Sequence, residues 1–270
     1  MRIARYVVGD QIQFGTVELA EDAGQHPDTV ANLTSDPLAG PVTYTGERHL
    51  LSEVRLLAPV IPRSKVVGIG RNYAAHAAEL GNEVPDEPLV FLKPNTSVIG
   101  PGVAIVRPAT TTNLHYEGEL AVVIGRICRD VPLDRVAEVI FGYTIANDVT
   151  ARDLQNTDGQ WTRAKGYDTF CPVGPWIVTH FSLEEAGNLG IRTRLDGALV
   201  QDASTNLLVR DLASLVSYVS SFCTLLPGDL ILTGTPAGVG PMTPGQHVEV
   251  EIDGIGVLDN VVVEDAGADD

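Results

Sequence analysis

The sequence predicts an α+β fold that is rich in β-strands, and three observations support this prediction. First, 27 glycines and 17 prolines are spread along the 270 residues and divide the chain into short segments. Second, many of these segments are alternating or continuous apolar runs, which are typical of strands bounded by turns. Third, apolar residues at helical spacing occur in few places, with residues 212–222 as the clearest case in the second half. The hydrophobic content of 44% is sufficient for a substantial core.

The first 60 residues are predicted to form a small β-rich domain. Residues 3–8 and 12–19 are expected to be strands, because polar and glycine turns separate these apolar runs. Two prolines favour extended backbone at residues 58–62, which are therefore predicted to be a linker. The remaining residues, 61–270, would form a second and larger domain. No group of residues in the first domain indicates a chemical function.

The first half of the larger domain is predicted to alternate strands with short helices. Strands are expected where apolar runs occur, at residues 65–70, 89–92, 117–125 and 141–146. Short helices are expected at residues 72–80 and 133–140. Gly81 would end the first of these helices, since glycine is the usual residue after a helix. The polar segment 81–88, which contains proline, is expected to be mobile.

The second half of the larger domain is predicted to consist mainly of strands. These are expected at residues 175–179, 191–195, 198–200, 229–233 and 246–252. Asp196-Gly197 is a typical turn between two of them. The helix at 212–222 has apolar residues at helical spacing. The acidic residues 264–270 are expected to form a solvated tail.

The charge of the chain limits its partners. The net charge is −17 and the isoelectric point is about 4.6. Nucleic acids and anionic membranes are not expected as partners, because like charges repel. An anionic small molecule is still compatible with this charge, since a metal ion and a few basic residues can reverse the field inside one cleft.

The cysteines and the apolar segments favour a cytoplasmic, soluble protein. Cys128, Cys171 and Cys223 lie far apart, with no C-x-x-C motif, which favours a reducing compartment over a disulfide framework or a zinc cluster. The first residues lack the apolar region and cleavage site of a signal peptide. No apolar run approaches the roughly 20 residues that a membrane-spanning helix requires.

Glu117 and Glu119 are the most informative pair of residues. They begin an apolar run that is predicted to be a strand, where residues i and i+2 share one face. Two carboxylates held side by side repel each other, and burial would strengthen this repulsion. A cation between them would remove it, so the pair predicts part of a metal site. The alternative is an exposed strand end with two solvated glutamates.

A third carboxylate for this site is expected where the strand 141–146 ends in polar residues. Asp148 is one candidate, and a set of three carboxylates suits Mg²⁺ or Mn²⁺ better than zinc or copper. Asp153 is the other candidate, in which case Asp148 would pair with Arg152. The spacing does not distinguish between them.

His76 and Glu79 are predicted to lie three residues apart on one face of the helix 72–80. A carboxylate beside an imidazole raises its basicity, as a general base that activates water requires. The alternative is a surface histidine–glutamate pair. The preceding Gly68-x-Gly70 turn is a weak dinucleotide-binding signal, because Tyr73 occupies the position of the third glycine.

Two further segments contain candidate site residues. Lys165 stands among glycine and aromatic residues, and it could stabilise a developing oxyanion. The turn Thr233-Gly-Thr235 offers hydroxyl and backbone N–H groups that suit a carboxylate ligand. The alternative for this turn is a purely structural glycine-rich loop.

The order of these motifs resembles that of the fumarylacetoacetate hydrolase family. The motifs are GRNYAAHAAE (70–79), FLKP (91–94), NLHYEGEL (113–120), NDVTARDLQ (147–155), KGYDTFCPVGP (165–175) and LTGTPAGVG (232–240). The resemblance covers about residues 60–262. The first 60 residues resemble the small, variable N-terminal domain of many bacterial members.

The resemblance implies a mixed β-sandwich roll, a homodimer and a bound Mg²⁺ or Mn²⁺. It implies Glu117, Glu119 and Asp148 as metal ligands. It also implies a His76–Glu79 dyad and an active-site Lys165, with a lid at residues 80–88. The positions that match residues near the substrate in relatives are Arg71, Tyr73, Lys93, Arg152, Gln155 and Thr235.

The resemblance leads to three related hypotheses of function and one from another class. In each reaction a 2-oxo acid would bind the metal through its carboxylate and 2-oxo oxygen, and the metal would stabilise an enolate. Hydrolysis of an acylpyruvate ranks first and decarboxylation of oxaloacetate second. Isomerisation of an unsaturated diacid of aromatic catabolism, such as 2-hydroxyhepta-2,4-diene-1,7-dioate, ranks third. The alternative of another class is a non-catalytic 2-oxo-acid-binding protein.

Overall fold

The computed structural model describes residues 1–20 and 26–266, and the last four residues of the predicted solvated tail lie outside this range. Its strands, in chain order, are β1 (Arg2–Val8), β2 (Gln11–Glu18), β3 (Thr29–Leu33), β4 (Tyr44–Leu50), β5 (Arg55–Leu57), β6 (Val66–Gly70), β7 (Leu89–Lys93), β8 (Val98–Ile99), β9 (Ile105–Arg107), β10 (Leu114–His115), β11 (Gly118–Ile124), β12 (Ile140–Asn147), β13 (Thr150–Ala151), β14 (Cys171–Val178), β15 (Gly190–Leu195), β16 (Ala198–Ser204), β17 (Leu230–Leu232), β18 (His247–Ile252) and β19 (Gly256–Glu264).

The helices are short except for the last one. The α-helices are α1 (Ala74–Glu79), α2 (Arg152–Thr157), α3 (Thr162–Gly166), α4 (Leu183–Ala186) and α5 (Leu212–Phe222). The 3₁₀ helices are Leu51–Glu53, Asn95–Ser97, Leu133–Glu138 and Thr205–Leu207. None of the described helices has the length and apolar character needed to cross a membrane.

The predicted α+β, strand-rich fold class is confirmed. Most predicted strands occur within a few residues of their expected bounds, and the helix at 212–222 is present as α5. The helix expected at 133–140 is instead the 3₁₀ helix Leu133–Glu138. The strand β19 was missed, because Asp259 and Asn260 interrupt its apolar pattern, and Asn260 is nevertheless buried. Residues 81–88 form no regular secondary structure, and their mobility stays a prediction.

The main sheet runs through the whole molecule. Its principal strand order is β4-β3-β2-β1-β14-β12-β11-β17-β6-β7. The N-terminal strands continue this sheet, because β1 pairs with β14 through Arg2 opposite Val178. The division into domains at residue 60 stays a prediction, but strands from both sides of it share backbone hydrogen bonds.

A second sheet, in the order β16-β15-β18-β19-β9, packs against the main one. Leu120 and Val122 of β11 share one buried cluster with Ile191 and Val250 of the second sheet. The opposite face of β11 is also buried, with Ala121 in another cluster. A strand that is buried on both faces has apolar residues at successive positions. This explains why residues 120–124 are all apolar.

Helix α5 covers part of this core with one face. Leu212, Leu215, Val216 and Val219 are buried and follow the spacing of a helical apolar stripe. The helix begins at Leu212 because the Asp211 carboxylate accepts a 2.7 Å hydrogen bond from the Ser214 backbone N–H. Helix formation here is therefore driven by both a cap and a buried face.

Four strand ends meet at one edge of the main sheet. The strand β11 begins there at Gly118, directly opposite Asn147 at the end of the antiparallel β12. Strand β17 also runs antiparallel to β11, and β6 is parallel to β17, so both end at the same edge. The residues that precede or follow these strand ends belong to the motifs at 70–79, 113–120, 147–155 and 232–240.

Candidate active site

Three carboxylates lie together at this edge. Glu117 precedes β11, Glu119 is its second residue, and Asp148 follows β12. One oxygen from each residue lies within 4.8 Å of the others, and all three side chains are buried. The antiparallel register explains the grouping, because Asp148 N–H donates a 2.8 Å hydrogen bond to the Glu117 carbonyl.

Three cationic side chains pair with two of these carboxylates. Lys165 Nζ lies 2.7 Å from Glu117 and 2.5 Å from Asp148. Lys93 Nζ lies 2.6 Å from Asp148, and Arg152 Nη2 lies 2.5 Å from Glu117. Burial alone would raise the pKa of Glu117, but Lys165 and Arg152 outweigh burial and hold it well below its usual value. Burial likewise opposes the charge of Lys165, but Asp148 and Glu117 raise its pKa overall.

Glu119 differs from its two neighbours. Its carboxylate accepts a 2.6 Å hydrogen bond from the Gly234 backbone N–H. Among residues 1–20 and 26–266, no lysine or arginine lies within the 4.0 Å of an ion pair with it. Burial raises the pKa of Glu119 well above its usual value, and the charges of Asp148 and Glu117 raise it further.

These residues fit a hard divalent cation. Carboxylate oxygens are the ligands that Mg²⁺ and Mn²⁺ prefer. The three carboxylates converge on one point, and in the part of the chain that the structure describes no lysine or arginine forms an ion pair with Glu119. A divalent cation would relieve the repulsion between Glu119 and the other two carboxylates. The structure therefore brings together the three residues expected as ligands.

The structure also distinguishes between the two aspartates considered as the third ligand. Asp153 lies away from the triad, where its carboxylate accepts hydrogen bonds from Thr111 Oγ1 at 2.6 Å and from the Thr112 N–H at 3.0 Å. If Asp153 were the ligand, Asp148 was expected to pair with Arg152. Arg152 pairs with Glu117 instead. Asp153 instead anchors the loop that precedes β10.

His76 and Glu79 face the same site from α1. His76 Nδ1 lies 3.4 Å from a Glu79 carboxylate oxygen. Burial lowers the pKa of His76, which favours the neutral imidazole that a general base requires. Glu79 also accepts hydrogen bonds of 3.0 and 3.2 Å from the Gly238 N–H. This histidine is buried, which excludes the alternative of a simple surface pair.

Gly238 can hold Glu79 only because it is a glycine. Its φ angle is +100°, and a Cβ atom at this position would lie 2.0 Å from the Val200 carbonyl oxygen. The Gly238 carbonyl in turn accepts a 2.8 Å hydrogen bond from the Tyr116 hydroxyl. The glycine-rich loop 232–240 is therefore more than a turn, since it positions the carboxylate of the dyad.

A cleft of about 350 Å³ opens above the triad. The predicted site residues that line it are Arg71, His76, Glu117, Glu119, Arg152, Gln155, Lys165 and Thr235. The other predicted residues lie behind this surface or beside it. Lys93 is buried beneath Asp148, and Tyr73 is buried where its backbone bridges to Leu208.

Two residues of the site were not assigned a role from the sequence. Gln201 is 1% exposed, and its amide donates a 2.9 Å hydrogen bond to Thr235 Oγ1 while its carbonyl accepts one from the Gly118 N–H. It lies on β16, far from any motif, so no sequence signal could have identified it. Trp161 lines the cleft with its ring 5.8 Å from Lys165 Nζ, and its place in an aromatic segment near Lys165 was a usable signal.

Comparison with protein-family models gives two matches that together span most of the chain. Residues 65–263 match the model described as fumarylacetoacetate (FAA) hydrolase, C-terminal. Residues 1–59 match the model described as Rv2993c-like, N-terminal.

Curated relatives and solved structures are similar over most of their length. The mitochondrial oxaloacetate decarboxylase of Dictyostelium discoideum is 43% identical over 196 residues, which cover 71% of this chain and 89% of the relative. The 2-hydroxyhepta-2,4-diene-1,7-dioate isomerase of Mycobacterium marinum is 47% identical, with a TM-score of 0.89 and coverage of 98% and 99%. The maleylpyruvate hydrolase of Sphingobium sp. SYK-6, solved with manganese(II) and pyruvate, is 31% identical, with a TM-score of 0.78 and coverage of 98% and 99%.

Proposed function

The chain belongs to the fumarylacetoacetate hydrolase family, and on this basis we propose that it is a Mg²⁺- or Mn²⁺-dependent enzyme that acts on 2-oxo acids. The reaction we propose is hydrolysis of a 2,4-dioxo acid (an acylpyruvate) at the bond between C3 and C4. The products would be pyruvate and a carboxylic acid.

One observation carries this proposal. Glu117 and Glu119 of the buried triad line the same cleft as His76, which pairs with Glu79. A site for a divalent cation and a candidate general base therefore border the same space. The manganese and pyruvate in the Sphingobium hydrolase support both the metal and the substrate class.

A divalent cation held by the triad would polarise the 2-oxo group and stabilise the enolate charge that develops as the C–C bond breaks. Lys165, whose ammonium already contacts two triad members, would donate a hydrogen bond to the charge that develops during attack. Arg152 and Gln155, joined by a 2.5 Å hydrogen bond, would help to hold the substrate carboxylate.

His76 would remove a proton from the attacking water, and its neutral state suits this step. Glu79 would stabilise the imidazolium that results and fix the orientation of the ring. The water oxygen attacks C4, the C3–C4 bond breaks, and C3 takes up the proton that His76 received. The protein therefore ends the cycle in the protonation state in which it began.

Oxaloacetate decarboxylation is a second candidate, because a relative with 43% identity is named for it. Loss of CO₂ leaves the same pyruvate enolate, so it can use the triad and Lys165. It requires no attacking water and therefore does not need the His76–Glu79 dyad. Isomerisation of an unsaturated 2-oxo diacid also needs an enolate and reprotonation, and the Mycobacterium marinum relative carries the name of such an isomerase.

The test is a panel of substrates assayed with Mg²⁺, Mn²⁺ and EDTA. The panel contains acetylpyruvate, fumarylpyruvate, oxaloacetate and a homoprotocatechuate-derived diacid. We expect turnover of 2,4-dioxo acids with either metal and its loss with EDTA. Full activity in EDTA would contradict the mechanism, and turnover of oxaloacetate alone would favour the second candidate. A metal-loaded protein that is inert towards the whole panel would favour a non-catalytic 2-oxo-acid-binding protein.

A further inference from the structure

Gln201 joins two segments of the active site from behind the cleft. It is 1% exposed and lies on β16. Its side-chain carbonyl accepts a 3.1 Å hydrogen bond from the backbone N–H of Gly118, the residue between the two glutamates of the triad. Its amide nitrogen donates at 2.8 Å to the Pro236 carbonyl and at 2.9 Å to Thr235 Oγ1. Gln201 therefore connects the start of β11 to the glycine-rich loop 232–240.

The backbone partners of Gln201 fix the orientation of its amide. A backbone N–H can only donate, and a backbone carbonyl can only accept. The amide oxygen must therefore face Gly118, and the amide nitrogen must face Pro236. The Thr193 hydroxyl, which donates to the same oxygen at 2.7 Å, agrees with this orientation. In the bond between Gln201 and Thr235, the amide is thus the donor and Oγ1 is the acceptor.

This bond leaves the proton of the Thr235 hydroxyl for another partner. A hydroxyl has one proton to donate and two lone pairs, and here one lone pair accepts from Gln201. Among residues 1–20 and 26–266, Thr235 Oγ1 forms no other hydrogen bond. Thr235 is 3% exposed and lines the cleft. A buried donor without a partner is costly, so this proton is available to an oxygen atom of a bound ligand.

The residue before Gln201 also supports the loop that carries Thr235. The Val200 carbonyl oxygen lies so close to Gly238 that a Cβ atom on this glycine would be 2.0 Å from it. Two successive residues of β16 therefore contact the loop at two points, Thr235–Pro236 and Gly238. The position of the Thr235 hydroxyl relative to the triad thus depends on β16.

We propose that Gln201 is a positioning residue, which holds Thr235 so that its hydroxyl donates a hydrogen bond to an oxygen of the bound 2-oxo acid. This inference rests on the proposed function, because the ligand is the anion of the same cleft. Gln201 acts only through Thr235 in this role. Without the amide N–H, the hydroxyl would be free to rotate, and part of its hydrogen bond to the ligand would be lost.

The test measures the binding of pyruvate to the Mn²⁺-loaded protein by isothermal titration, so it does not depend on turnover. Thr235→Val removes the donor and should raise the pyruvate Kd roughly 10-fold, as the loss of one hydrogen bond to an anion would. Gln201→Met should raise it about 3- to 10-fold. In the double variant the Kd should stay within about twofold of that of Thr235→Val, because the two residues act as one unit.

Further variants separate positioning from general support of the fold. Thr193→Val removes another hydrogen bond to Gln201 but leaves the amide N–H in place, so the pyruvate Kd should change less than about twofold. Thr235→Ser keeps the hydroxyl and should keep both the affinity and its dependence on Gln201. Gln201→Glu is a second replacement that preserves the shape and the acceptor for Gly118. Its carboxylate has no N–H for Thr235, so it should weaken pyruvate binding at least as much as Gln201→Met does.

Three results would overturn the inference. The first is a pair of effects, from Thr235→Val and Gln201→Met, that multiply in the double variant. The second is an equal loss of pyruvate affinity in Thr193→Val. The third is a parallel loss of Mn²⁺ affinity in Gln201→Met, which would show that Gln201 acts through the triad.

Turnover of the substrate panel is measured separately, so that the two proposals can fail independently. Coupling between Gln201 and Thr235 in a protein without turnover would refute the proposed reaction and support the positioning role. Metal-dependent turnover with independent effects of the two substitutions would do the opposite. A Mn²⁺-loaded protein that does not bind pyruvate would contradict both.

Discussion

The floor of the cleft and its rim satisfy their charges in different ways. On the floor, the side chains of Glu117 and Asp148 are 5% and 1% exposed, and each pairs with two cationic groups. On the rim, the Glu79 side chain is 34% exposed and pairs only with a histidine and a backbone N–H, and Arg71 pairs with nothing in the described ranges. Glu117 and Asp148 thus belong to a closed network of ion pairs on the floor, whereas the rim has charged groups that a ligand can contact.

This difference indicates how the two regions contribute to function. Buried charges are costly to desolvate, so removal of one partner should destabilise the others, and each loss should affect both folding and the proposed metal binding. The rim is largely free of this constraint, and a change there should alter which substrate binds or which reaction follows. Four substitutions test this contrast, in order of decreasing expected effect.

Asp148→Asn should give the largest loss, because it removes a proposed metal ligand from the floor. We expect kcat/KM to fall roughly 10³-fold, since a bound metal supplies several kcal/mol of transition-state stabilisation. The measurements are kcat/KM at saturating Mn²⁺ and the Mn²⁺ affinity. Asp153→Asn is the matched control, and an equal loss in this variant would reverse the assignment of the third ligand.

Lys93→Met should destabilise the protein by about 3 kcal/mol, because it leaves one side of the buried Asp148 carboxylate unpaired. Urea unfolding in EDTA measures this change without a contribution from metal binding. Arg135→Met breaks an exposed ion pair with Glu138 and should cost less than about 1 kcal/mol. Similar losses for both variants would show that the floor is no more tightly coupled than the surface.

Glu79→Gln should separate the two reactions. We expect kcat for hydrolysis of a 2,4-dioxo acid to fall roughly 100-fold, since His76 would lose the charge that supports its role as a base. Decarboxylation of oxaloacetate should fall less than about tenfold, because it uses no attacking water. Glu53→Gln is the control, as Glu53 is exposed and remote from the cleft. Equal losses in both reactions would contradict the water-activating role.

Arg71→Asn should have the smallest effect on stability and the opposite sign. The φ angle of Arg71 is 57°. Asparagine adopts this left-handed backbone more easily than arginine does, so the free energy of unfolding should rise by about 0.5 kcal/mol. Urea unfolding measures the change, with Arg126→Asn as the control, because Arg126 is exposed and lies outside the cleft. A clear loss of stability would mean that Arg71 contributes to the fold, in contrast to the expected property of the rim.

The sequence predicted the strand-rich fold and most of its elements, because buried strands and turn residues leave local patterns. It also placed Glu117 and Glu119 on one strand face, which the geometry of a strand dictates. It could not choose between Asp148 and Asp153, since both follow the end of the same strand. The choice depends on the register of β12 against β11, which is a contact between distant parts of the chain.

The tertiary structure alone decided which residues contact and position the site residues. It also decided which cationic side chains form ion pairs among the described residues. Gln201, Gly238 and Gly234 contact site residues from segments about 80 to 160 positions away, and such contacts leave no local pattern. The sequence by itself determined which side chains the site can use. Strand periodicity and the order of the motifs identify these side chains without knowledge of distant contacts. Only the packed strand ends determined that Lys165 and Arg152 form ion pairs and that Arg71 forms none with residues 1–20 and 26–266, because ion pairing depends on distances in the folded molecule.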